Sequence, residues 1–100
     1  MNQLGQVACV LSEGMFENEY AVQIDLIDGK KVSLFADAEL VRVNGSKESG
    51  YLRVNIVKDE SPAPTILLPS ETFETGSRWI QVPREKLEWD QNDPEQRRDS

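Results

Sequence analysis

Enzyme and metal chemistry in small proteins leans on histidine, cysteine and paired carboxylates, and this 100-residue chain contains no histidine. The commonest general base and transition-metal ligand is therefore missing, and with it Ser-His-Asp and Cys-His catalysis. Cys9 is the single cysteine. It stands in the apolar run Val7-Ala8-Cys9-Val10-Leu11, where a thiol behaves as a small buried hydrophobe with a raised pKa rather than as a nucleophile. A lone cysteine forms no intrachain disulfide, which suits a reducing compartment and sets the cytoplasm as the expected location.

The 18 carboxylates offer many pairs, yet no spacing marks two of them for acid–base work, and a barrel of this length rarely encloses a substrate-sized cleft. Asp25-Leu26-Ile27-Asp28-Gly29 shares its opening with a calcium loop. It lacks the alternating oxygen ligands, and Phe35 stands where the closing glutamate belongs. Gly-rich phosphate loops are absent from the sequence. The expected class is a non-enzymatic protein without cofactor or metal.

Charge points to surfaces instead. The formal net charge is -7, which repels phosphate backbones and anionic lipid and makes nucleic acid and membranes poor partners. Residues 1–29 carry five acids and no base, whereas residues 30–58 carry six bases against three acids. A loop over Ser12–Tyr20 would bring Glu13, Glu17 and Glu19 to one rim beside Met15, Phe16 and Tyr20, an edge suited to a basic peptide. The competing reading is a solvated loop whose aromatics pack inward. Phe35, Tyr51 and Trp79 form a second candidate surface, since each is out of phase with the apolar side of its strand. They would otherwise cover the outside of a thin barrel, with Trp89 as its lid.

Period-two alternation supplies the elements that would position these residues. Val22, Ile24 and Leu26 share one face of a strand, as do Leu52, Val54 and Ile56, and Ile80 with Val82. Asp28-Gly29 marks a hairpin of type I′ leading to Val32 and Leu34. Gln6 to Leu11 reads as a strand apolar on both faces, and Thr65–Leu68 as a short strand bounded by prolines. Asp37–Val41 allows either a helical turn or a strand, and Pro83 is placed to start one helical turn.

Five or six short strands without a long helix predict a small antiparallel SH3-like barrel over residues 1–89, with an OB-like barrel or an open sheet as alternatives. Residues 90–100 hold no apolar side chain and read as a disordered tail. No signal peptide or anchor is expected, because the first residues lack a basic region followed by a long apolar run. The function expected on these grounds is a protein-interaction module that docks a protein partner or a second copy of itself. An acidic inhibitor or nucleic-acid mimic is the alternative, followed by a barrel for a small ligand.

Overall fold

The structure is a computed structural model that describes residues 3–59 and 63–89. The tail expected over 90–100 and the residues Ser61 and Pro62 lie outside the described residues. The chain is mainly β and antiparallel, with strands β1 (Gln3–Glu13), β2 (Glu19–Asp25), β3 (Lys31–Asp37), β4 (Val41–Asn44), β5 (Ser46–Lys58), β6 (Thr65–Leu67), β7 (Trp79–Gln81) and β8 (Leu87–Trp89). The expected small antiparallel barrel is thus the architecture found, built as a curled sheet in the order β3-β2-β1-β5-β6-β7.

The long strands β1 and β5 pair from Gln3↔Ile56 to Val10↔Ser49 and form the spine. Each is shared on its other edge by two short strands. β8 and β2 flank β1, while β4 and β6 flank β5. Alternation places Val7, Leu11, Val22, Ile24, Val32, Leu34, Leu52, Val54 and Ile56 in one apolar core, which Ile66, Leu68, Ile80, Val82 and Leu87 complete. The in-facing residues read from the strands are those the core contains; Leu26 packs against it half-buried.

Two local expectations are corrected or resolved. The β2–β3 turn is not type I′, which needs positive φ at both central residues. Only Gly29 is left-handed, at φ +89°. Gly29 N–H donates to the Leu26 carbonyl and Leu26 N–H to the Lys30 carbonyl, so the loop is a three-residue connection closed by a left-handed glycine. Asp28 takes the Lys30 amide instead of a strained backbone angle. Asp37–Val41, open in sequence, contains a 3-10 turn over Ala38–Leu40 that leads into β4. A second such turn, Arg84–Lys86, follows Pro83 as expected.

The curled sheet closes without a continuous ladder between its outer strands. Ile27 N–H donates to the Gln81 carbonyl at 3.0 Å, and Phe73 N–H donates to the Ser33 carbonyl at 2.9 Å. Along β3, Glu74 accepts the Ser33 amide at 2.7 Å and its hydroxyl at 2.9 Å, while the Ser70 hydroxyl donates to the Phe35 carbonyl. The 68–78 segment therefore covers an edge strand that would otherwise offer its backbone to another chain.

Candidate functional site

The strongest candidate is the tip of the β1–β2 hairpin. The ladder runs to Glu13↔Tyr20. Beyond it, Gly14 N–H donates to the Glu19 carbonyl at 3.2 Å and Glu19 N–H to the Phe16 carbonyl at 3.1 Å. A Cβ at Gly14 would lie 2.6 Å from the Glu19 carbonyl oxygen, so only glycine permits this approach. The Glu19 carboxylate accepts the Met15 amide at 3.0 Å, and the Asn18 carbonyl accepts Ala38 N–H at 2.7 Å. These bonds fix the loop from inside and from its base.

A tip held in this way turns two large apolar side chains outward. Met15 is 72% exposed and Phe16 73% exposed. Phe16 borders an open hollow of about 330 Å³ together with Glu13, Glu17, Glu19 and Tyr20. The structure therefore brings Glu13, Glu17 and Glu19 together at one rim. Of the neighbouring aromatics, Tyr20 packs against the core whereas Phe16 does not. Among the described residues no three His, Cys, Asp or Glu side chains converge to hold a metal ion.

The aromatic candidates are not gathered into one patch. All three leave the core, but β2 and β1 lie between the strands of Phe35 and Tyr51. Phe35 packs edge-on against Phe73, with ring centroids 5.0 Å apart. Tyr51 belongs to a polar network on the outer face. Its hydroxyl donates to Glu88 and its ring carries the Arg42 guanidinium at 5.4 Å, while Glu88 also accepts Gln6 at 2.9 Å. One carboxylate on β8 thus gathers side chains from β1, β4 and β5. It holds the Tyr51 hydroxyl above its ordinary pKa, and the Gln6 and Tyr51 donors hold Glu88 below the usual carboxylate range.

Trp79 is 55% exposed at the end of the cross-strand row Leu4↔Asn55, Asn55↔Leu67, Leu67↔Trp79. Trp89 is half-buried against the core, with Arg84 stacked on its ring at 5.0 Å. Arg84 in turn makes a two-pronged ion pair with Asp59. Phe73 and Leu4, both exposed, went unnoticed in the sequence because neither sits in a run whose period declares a face.

Cys9 is buried in the core, and desolvation pushes its thiol up to about 12. No helix among the described residues is long and apolar enough to cross a membrane. Compared with known proteins, the chain matches no family model, no curated protein and no solved structure.

Proposed function

We propose that this chain is a non-enzymatic protein-interaction module whose β1–β2 tip inserts into an apolar pocket rimmed by basic groups on a protein partner. The observation that carries the reading is the exposure of Met15 and Phe16 together, with three glutamates lining the hollow beside Phe16, on a loop already fixed by four hydrogen bonds. Methionine and aromatic residues are enriched at interfaces, and a loop held before binding loses little freedom on docking. The glutamates select the partner by sign and steer its approach.

Magnitudes set the expected strength. Burying Met15 and Phe16 supplies about 3–6 kcal/mol, before the cost of association is subtracted. A micromolar complex needs roughly 8 kcal/mol net. The rim must therefore contribute, and binding is weak and salt-sensitive.

The acidic-mimic alternative has less support, because a mimic of nucleic acid needs an uninterrupted acidic face. Here Asp25 bonds Lys31 at 2.7 Å and lies 3.8 Å from Lys86, Asp59 pairs with Arg84, and Glu88 with Arg42. A reducing, cytoplasmic setting suits the single unpaired thiol.

A photo-crosslinking phenylalanine analogue at position 16 tests the reading in cells, with the same analogue at position 85 as control. Adducts are expected from position 16 alone, and Glu13→Lys with Glu17→Lys should abolish them. Equal adducts from both positions, or none from position 16, would overturn the proposal.

A further inference from the structure

Along the outer edge of β5 the chain leaves a fork, where β4 ends its pairing at Leu52 and β6 begins at Asn55. A shallow groove of about 200 Å³ opens there, with Leu4, Leu40 and Leu67 among its apolar lining and Arg53, Asn55 and Arg78 on its polar side. Leu4 is 47% exposed, and Trp79 adjoins the groove through its register with Leu67. The Arg78 Nε–H donates to the Leu68 carbonyl at 2.9 Å, which ties that guanidinium to the site.

The groove has the chemistry that the tip demands of its partner: an apolar lining with a basic rim. Tip and groove are complementary in sign, and both expose large apolar side chains that a monomer leaves in water. We infer that the tip of one copy docks in the groove of another, Phe16 against the leucines and Glu13 and Glu17 toward Arg78. This rests on the reading of the tip above and names its partner as a second copy of the chain. Because the contact joins two different surfaces, each copy carries one donor tip and one acceptor groove.

Light scattering across a concentration series, from micromolar to millimolar, reads the contact directly. The wild-type mass is expected to rise above that of the monomer and to fall back in high salt. Two folded variants separate the halves: Phe16→Ser with Glu17→Lys for the tip, and Arg78→Glu with Trp79→Ser for the groove. All four positions are exposed, and circular dichroism checks that each variant keeps its strands.

Each variant alone should self-associate at least tenfold more weakly. An equimolar mixture should regain a dimer, because the intact groove of one meets the intact tip of the other. A wild-type chain that stays monomeric throughout, variants that associate as the wild type does, or a mixture that stays monomeric would overturn the inference. If the wild type is monomeric while position 16 still crosslinks a different protein, the tip reading stands and the self-contact falls. If position 16 crosslinks nothing, both fall.

Discussion

Glu74 is an exposed carboxylate that two donors reach from 41 positions away, the amide and the hydroxyl of Ser33. The Ser33 amide is the larger influence and holds the Glu74 carboxyl below its ordinary range. A carboxyl depressed in the folded state adds stability above its unfolded pKa, about 4.3, and that contribution disappears as pH falls through the folded value. Glu74→Ala should therefore destabilise the protein modestly at neutral pH and lose its effect in acid. Urea melts of both proteins at neutral pH and near pH 3 check this: the gap should close on acidification. Such pairs were invisible in the sequence, since two polar residues so far apart carry no mutual signal. The burial of Cys9 was legible from its apolar neighbours, whereas the outward turn of Phe16 depended on the bonds inside its loop.

The strands were the most legible elements, because alternation is a direct image of a sheet with one dry face. Strand ends were less so. β1 runs from Gln3 to Glu13, longer than its apolar stretch, because Gln6 and Ser12 fall on the face turned away from the core, where polar side chains are tolerated. The β2–β3 turn was read from a dipeptide preference, and the lateral bond of Asp28 settled a different loop from the same two residues. For the β1–β2 tip, Gly14 is the position where an element decides a site. Gly14→Ala puts a methyl group against the Glu19 backbone and should cost about 1–3 kcal/mol as an overpacked contact. The expected amide shifts in a nuclear magnetic resonance spectrum are confined to the tip and the adjoining Ala38, with β5 and β6 unchanged.

For the molecule as a whole, five or six strands and no long helix sufficed to anticipate a small antiparallel barrel. The forks on β1 and β5, and the groove at the second of them, arise from pairings among distant segments that no local pattern contains. A core this thin places much weight on each residue. Leu52 is fully buried and pairs with both Val7 and Val41. Leu52→Ala should cost about 2–5 kcal/mol, a large share of the roughly 5–15 kcal/mol typical of a domain. A fall in the urea midpoint, followed by tryptophan fluorescence, measures it.

The way the sheet closes bears on how the molecule breathes. A ladder opens only by peeling many bonds together, but the join between β3 and the 68–78 segment consists of a few separate bonds around Ser33 and Phe35. Its exposed outer stretch, residues 73–76, can lift away while Leu68 stays in the core and the β1–β5 spine stays paired. Amide protons of Ser33 and Phe73 then trade with solvent through brief local openings, whereas those of Val7 and Leu52 wait for the entire fold to come apart. The protein is in this sense a clasped cuff, firm along its length and releasable at one fastening.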